Sequence, residues 1–340
     1  MDSESEDDEG SDQDSGLRKL KKQLSSLNFL SRSNSRSSSD SSDHQSLPQS
    51  KRSRGHFTLP GAKITAFSTS IFQRMRAMDD IGFAQIQKSL NPKSNRDQIF
   101  NTGEAAGASG SFFFFSHDRR FIVKTMTNTE LALIQKILPK LHEHLKKNPA
   151  SLLSRIYGVY SVKMQDYQMV HLILMGNTLR FDESKDISRI YDLKGSTFSR
   201  LVKGRTTHKS TLKDQNFVMN QHHVQEINLS KRDMRRVNRA IHEDTKFLAK
   251  LNIMDYSILL GIESKVKVNT ESSDFVIGRD ARKMTVRSTG ELQRFKRHRF
   301  TSPDGLQTYH VSIIDFLQLW NCNKRSEQWV KTKLLRANPK

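Results

Sequence analysis

Ile253-Met254-Asp255-Tyr256-Ser257-Ile258-Leu259-Leu260-Gly261 is the stretch that decides the fold. It sets one carboxylate between the end of a long basic helix, read over Asp233–Leu251, and a buried-looking strand, read over Ser257–Ile262. A carboxylate at such a junction can project into a cleft and orient a hydroxyl. Two partners flank it in the chain. Upstream, Phe121-Ile122-Val123-Lys124 ends an apolar strand on a lysine, shortly after the small-residue turn Gly107-Ala108-Ser109-Gly110-Ser111. Downstream, Val311-Ser312-Ile313-Ile314-Asp315 ends another strand on a carboxylate. Phosphoryl transfer needs a backbone cradle and a cation for phosphate, a carboxylate near the attacking hydroxyl, and a carboxylate for magnesium.

Each part has a plainer reading. The Gly107–Ser111 turn lacks the Gly-Lys-Ser/Thr of a Walker loop and, alone, is a hairpin turn whose small residues let backbone N–H groups approach phosphate. Lys124 alone is an edge-strand charge; beyond such a turn it can reach the α- and β-phosphates, with Glu130 on the next helix to orient it. Met175-Gly176-Asn177 ends an apolar strand, either as an ordinary exit or as an interlobe hinge whose backbone pairs with adenine. Asp255 and Asp315 singly are helix or turn caps; with Lys124, in this order, they form a set.

The set departs from a protein kinase. No His-Arg-Asp precedes the base, Leu260 stands where an Asn is needed, and Asp315 is followed by Phe316-Leu317 rather than Phe-Gly. Tyr191-Asp192-Leu193-Lys194-Gly195-Ser196-Thr197, the Ile253–Gly261 stretch and Ile313-Ile314-Asp315-Phe316-Leu317-Gln318 instead resemble the signatures of phosphatidylinositol phosphate kinases. Gly107–Phe114 with Ile122-Val123-Lys124-Thr125 resembles that family's nucleotide loop and lysine strand. Thr211-Leu212-Lys213-Asp214 resembles a further block, with Asn216 where an aspartate is common. The resemblance spans about residues 65–335.

The resemblance implies transfer of the γ-phosphate of ATP, with Mg2+, to the inositol ring of a phosphatidylinositol monophosphate. It points first to phosphatidylinositol 4-phosphate giving the 4,5-bisphosphate. The alternatives are a 5-phosphate 4-kinase and a catalytically impaired membrane-binding scaffold of the same fold. It gives Lys124 the ATP phosphates, with Gly107, Ser109, Gly110, Ser111, Met175 and Asn177 around the nucleotide. Asp255 becomes the catalytic aspartate, Asp315 the magnesium ligand, and Lys194 a phosphate contact in the cleft, with Asp192 supporting that lysine or the fold. It also suggests dimers. In this family a substrate-selecting segment follows the magnesium aspartate; with 25 residues after Asp315, that segment is expected to be missing or reduced.

Composition sets the remaining bounds. Residues 2–14 hold eight acidic residues and no Lys or Arg, so the rest sets all 56 basic residues against 28 acidic ones, a net charge of +28. That excess implies an anionic partner. Arg200, Lys203, Arg205, Lys209 and Lys213 form one cluster, and Arg294, Lys296, Arg297 and Arg299 another. An anionic leaflet attracts such residues. Nucleic acid is the runner-up for this charge, but no zinc-finger spacing, RNP-like aromatic block or basic zipper accompanies it, and no nucleic acid is expected. Cys322 is the single cysteine, in keeping with a reducing compartment. No stretch reaches the about 18 apolar residues of a membrane span, and no secretory signal opens the chain. Cytoplasmic placement on the cytosolic face of membranes is therefore expected.

Residues 1–56, rich in Ser and Asp, read as a disordered tail, and 57–340 as the kinase domain. Within it, residues 68–90 read as helical, with Ser70 capping the start and a second helix over Asp79–Leu90 broken before Pro92, and a further helix is expected from Glu130 to Leu145, kinked or ended near Pro139. A hairpin is expected from Phe112 through Ser116–Arg119 to Phe121–Val123, with strands at 156–160, 169–175, 190–193 and 309–314. Residues 264–307 read as an inserted loop and Trp320–Leu335 as a last helix. The sum is an α+β, two-lobed kinase-like fold, with an antiparallel-sheet N-lobe and a smaller mixed C-lobe.

Overall fold

The first lobe opens on an antiparallel pair, β1 (Arg54–Leu59) with β2 (Ala62–Phe67), and Gly61, just before β2, has a φ of +76° that suits glycine. In β2, Ala62, Ile64 and Ala66 alternate into the core. This is a computed structural model. It describes residues 53–59, 61–95, 112–179, 186–204, 206, 210–221, 227–264 and 298–319. The acidic tail, the Gly107–Ser111 turn, Arg205, Lys209, most of the inserted loop and the Trp320–Leu335 helix lie outside the described residues.

Contacts divide the chain into two units: residues up to Pro139 with Arg155–Asn177, and Lys140–Ser154 with Thr178 onward. The first unit holds a six-stranded sheet, ordered β1-β2-β5-β6-β4-β3 and antiparallel throughout. Its further strands are β3 (Phe113–Phe115), β4 (Phe121–Met126), β5 (Ile156–Met164) and β6 (Val170–Gly176). The hairpin and the two central strands stand where the sequence places them. One core cluster joins Ala62, Ile64, Val162, Met164 and Leu172; a second joins Phe121, Tyr157 and Leu174 to Ile81 and Ile86. Val123 and Tyr160 pack against both clusters.

Two helical expectations needed correction. The 68–90 segment is two helices, as expected, α1 (Thr69–Met78) and α2 (Phe83–Ser89), but Ser70 is not the cap of the first. Ser68 takes that position with a φ of 47° and no side-chain bond; Thr69 N–H donates to the Ser53 carbonyl (3.3 Å) and Ser70 N–H to Ser53 Oγ (3.2 Å). The orphan N–H groups are thus met by a residue from before β1. Helix α3 runs without a break from Asn128 to Lys147, with Pro139 inside it. Proline lacks the amide hydrogen, but the apolar stripe continues across it: Ile134, Leu138, Leu141 and Leu145 are all buried. Packing on both sides holds the helix together through the missing bond.

The second unit holds a five-stranded sheet ordered β11-β12-β10-β7-β8. Its strands are β7 (Asp186–Leu193), β8 (Thr211–Lys213), β10 (Ser257–Ser264), β11 (Arg299–Thr301) and β12 (Gln307–Ile314). Only β7 and β8 pair parallel. Helix α4 (Asp214–Gln221) follows β8 directly, and α5 (Lys231–Lys250) leads to the two-residue strand β9 (Ile253–Met254). Ser230 caps α5 by accepting the Asp233 N–H (3.1 Å), so the helix starts two residues before its expected beginning. Val237, Ala240, Asp244 and Leu248 form its buried stripe. The chain is the α+β, two-lobed arrangement expected, with the mixed sheet one strand smaller than the antiparallel one.

Candidate active site

Asp255 and Asp315 lie on the two segments that cross a break between two ladders. Strands β10 and β12 pair up to Ser257 opposite Ile314. Beyond them β9 pairs with β13 (Gln318–Leu319), with Met254 opposite Gln318. Between the two ladders lie Asp255-Tyr256 on one strand and Asp315-Phe316-Leu317 on the other. Both aspartates are left-handed, with φ of 63° and 59°. Asp tolerates that region better than most residues, and leaving the strand there frees a carboxylate from the pleat. Ile253, Ser257 and Phe316 are buried on either side and fix the break, while Asp315 itself is exposed.

Lys194 completes this group. It follows β7, whose Leu193 pairs with Ile258 of β10, and its Nζ donates to Asp255 Oδ1 at 3.0 Å. Asp214, the first residue of α4, holds the lysine in place. Its Oδ1 accepts the N–H of Lys194 (2.9 Å) and of Gly195 (2.7 Å), and its Oδ2 accepts Arg200 Nε (2.7 Å). Gly195 has a φ of +69°, which lets the two N–H groups converge on one oxygen. Burial opposes charge on Asp214, but the hydrogen bonds from Arg200 and Gly195 and the Arg200 charge outweigh it and hold the carboxyl below its usual range.

Asp192 does not contact Lys194. It accepts Arg200 Nη2 through its side chain at 3.1 Å and also through its carbonyl. Arg200 is therefore an internal ion-pair residue, 11% exposed, rather than a member of an outward basic cluster. Asn216 uses both ends of its amide: Oδ1 accepts from Val202 and Lys213, and Nδ2 donates to the Val202 carbonyl. An ionised aspartate there lacks the donor.

In the first unit Lys124 lies on β4 between Phe113 of β3 and Ile173 of β6. Its Nζ is 3.7 Å from Glu130 Oε1 and 5.5 Å from the Phe113 ring centre. Glu130 is fixed by a reciprocal cap: its Oε2 accepts the Thr127 N–H (2.7 Å), and Thr127 Oγ1 accepts the Glu130 N–H (3.2 Å). The turn before β4 is held by Asp118. Burial works against its charge, yet hydrogen bonds from Ser89, Ser116 and the Arg120 N–H, with the Arg120 charge, keep its carboxyl low.

Met175 is in ladder with Ile122 and Ile156 at the end of β6. Asn177 is buried; its N–H donates to the Arg120 carbonyl (2.9 Å) and its Nδ2 to the Arg119 carbonyl (2.8 Å). The first unit ends at this residue. Gly107, Ser109, Gly110 and Ser111 lie outside the described residues.

Asp214 is the residue that sequence reasoning missed as a site member. The signal available was its block, Thr211–Asp214, not its chemistry.

A family model described as phosphatidylinositol-4-phosphate 5-kinase matches residues 94–340. A probable phosphatidylinositol phosphate kinase of Dictyostelium discoideum is 36% identical over 214 residues, covering 62% of this chain and 29% of that protein. A phosphatidylinositol 4-phosphate 5-kinase of Schizosaccharomyces pombe is 33% identical, covering 62% and 27%. The human phosphatidylinositol 4-phosphate 5-kinase type-1 beta is 35% identical over 158 residues, covering 46% and 28%. The chain spans under a third of the length of these relatives. The family match takes in the Lys194 loop and both aspartate-bearing strands, and the chain belongs to the phosphatidylinositol-4-phosphate 5-kinase family.

Proposed function

We propose that this chain is a lipid kinase that moves the γ-phosphate of ATP to the inositol ring of a phosphatidylinositol monophosphate, with phosphatidylinositol 4-phosphate as the preferred acceptor. The observation that carries this reading is the Lys194–Asp255 pair at 3.0 Å, set at the ladder break that also bears Asp315. Asp255 then accepts the proton of the attacking inositol hydroxyl. Lys194 offers a compact positive charge to the phosphate groups beside it. Lys124, oriented by Glu130, binds ATP phosphates. Magnesium favours one or two carboxylates plus phosphate oxygens, and the exposed Asp315 suits it. When bound, the ion neutralises charge building on the transferred group.

The likeness to phosphatidylinositol 4-phosphate 5-kinases supports the 4-phosphate acceptor. The net positive charge supports a peripheral position on an anionic cytosolic leaflet. No described helix is long and apolar enough to cross a membrane.

The test is transfer from radiolabelled ATP to vesicles, each holding one phosphatidylinositol monophosphate. Labelling of the 4-phosphate vesicles, lost in Asp255→Asn, is expected. Labelling only of the 5-phosphate vesicles overturns the acceptor assignment. No lipid labelling by the parent chain while it binds ATP overturns the enzyme reading and leaves a binding scaffold.

A further inference from the structure

The loop after Lys194 and helix α4 form one unit with two faces. Inward, Phe217 meets the Tyr191 ring edge-on at 5.1 Å, and Asn220 Nδ2 donates to the Tyr191 hydroxyl at 2.8 Å. Outward, Gln215, Val218 and Met219 share a face at i, i+3 and i+4. Gln215 fastens that face to the loop: its N–H donates to the Arg200 carbonyl (3.0 Å) and its Nε2 to the Thr197 carbonyl (2.5 Å). Val218 and Met219 are 56% and 55% exposed, and Phe198, on the fastened loop, is 38% exposed. Six large hydrophobic residues are exposed among the described residues, and three of them gather on this unit. Their ordering entropy is already met by the hydrogen bonds beneath, so this is a built surface rather than a fraying one.

Charge and position select the partner. Lys203 is exposed at the far end of the loop, beside Val202, which Asn216 clamps; Lys213 precedes α4. Apolar side chains flanked by lysines fit the boundary between headgroups and acyl chains of an anionic bilayer. The same loop begins with Lys194, which touches Asp255. A phospholipid acceptor must bring its headgroup to Asp255 while its acyl chains stay in the bilayer, so the surface beside Lys194 is the one that faces the membrane. This step rests on the lipid-kinase reading.

We infer that Phe198, Val218 and Met219 form an apolar wedge that enters the headgroup–acyl boundary of an anionic bilayer, with Lys203 and Lys213 against the lipid phosphates. The wedge holds the Lys194–Asp255 pair at headgroup depth.

The test compares Val218→Ser/Met219→Ser with the parent chain. The first measurement is co-sedimentation with phosphatidylcholine–phosphatidylserine vesicles that hold no phosphoinositide. The double variant should partition about tenfold less, and Met219→Trp should partition more. The second is transfer to a short-chain, monomeric phosphatidylinositol 4-phosphate, which should not change. Met234→Ser, at an exposed apolar residue on α5, should leave both unchanged. Unaltered vesicle binding, an equal loss on monomeric acceptor, or an equal loss in Met234→Ser overturns the wedge. If the parent does not phosphorylate the monomeric acceptor, the kinase reading fails, and the co-sedimentation result still decides the wedge on its own.

Discussion

Asp214→Asn removes one charge and almost no volume, so its effect isolates what the carboxylate does. Asp214 accepts three hydrogen bonds, from Lys194 N–H, Gly195 N–H and Arg200 Nε, at 2.9, 2.7 and 2.7 Å. An asparagine keeps one acceptor oxygen and can still serve the two N–H groups. It then turns an amide NH2 toward Arg200, which is 11% exposed and is left with Asp192 alone. A lost charge-assisted bond of this kind costs about 1.5–3 kcal/mol. Asp214 is only 12% exposed, so solvent screening trims this little. A cost of about 2–3 kcal/mol lowers the melting temperature by roughly 5–10 °C in a chain with units of this size.

The pH dependence of that cost has a definite sign. The folded carboxyl of Asp214 lies below its unfolded value, so its contribution is fully present above the ordinary carboxylate pKa of about 3.9. It is lost as pH falls through the lower folded value. The assay is urea unfolding of parent and variant from about pH 7 down to about pH 3. The gap between them should be constant near neutrality and shrink at the acid end. A variant as stable as the parent at neutral pH, or a gap that does not change with acid, refutes the account. Phosphoryl transfer should fall as well, because the Lys194 backbone is held by the same oxygen.

Asp244 is fully buried and accepts His144 Nε2–H at 2.7 Å and Leu152 N–H at 2.6 Å; Asp244→Ala should cost about 3 kcal/mol or more, read as a lower urea midpoint. Leu152 in turn accepts the Ile313 N–H, two residues before Asp315, so transfer should fall together with stability. Asp315→Ala should abolish the dependence of transfer on magnesium concentration along with most of the rate, by about 100-fold or more; an unchanged magnesium titration refutes its role. Lys124→Ala should weaken ATP binding about tenfold or more, measured by equilibrium titration, with the fold intact in circular dichroism. Unaltered ATP affinity would remove Lys124 from the nucleotide site.

Much of the framework was legible in the residues because it repeats at the period of its element. The turn Ser116–Arg119 between Phe113–Phe115 and Phe121–Met126 declares a hairpin, and the apolar run to Ile314 declares a buried strand. The β1–β2 pair has alternating apolar residues in β2 but adjoins the polar tail, whose composition hides the signal. Pro139 does not end the helix, because local propensity is weaker than a buried stripe that continues on both sides of it. Asp214 was illegible as a site residue because its work is to accept N–H groups 20 and 19 positions away, and any carboxylate looks the same in sequence.

The sequence by itself determined which chemical groups this protein holds and in what order: a strand lysine, then a lysine after a β-strand, then two aspartates at strand ends. Charge, donor capacity and strand-forming bulk are properties of single residues and their near neighbours, so they can be read without coordinates. Only the tertiary structure decided that Asp255 and Asp315 flank one break between two ladders and that Lys194 reaches the first of them. Those relations depend on the register of ladders, two of whose strands are two residues long. A strand so short has no period of its own, and its partner is chosen by the longer ladders and buried side chains around it.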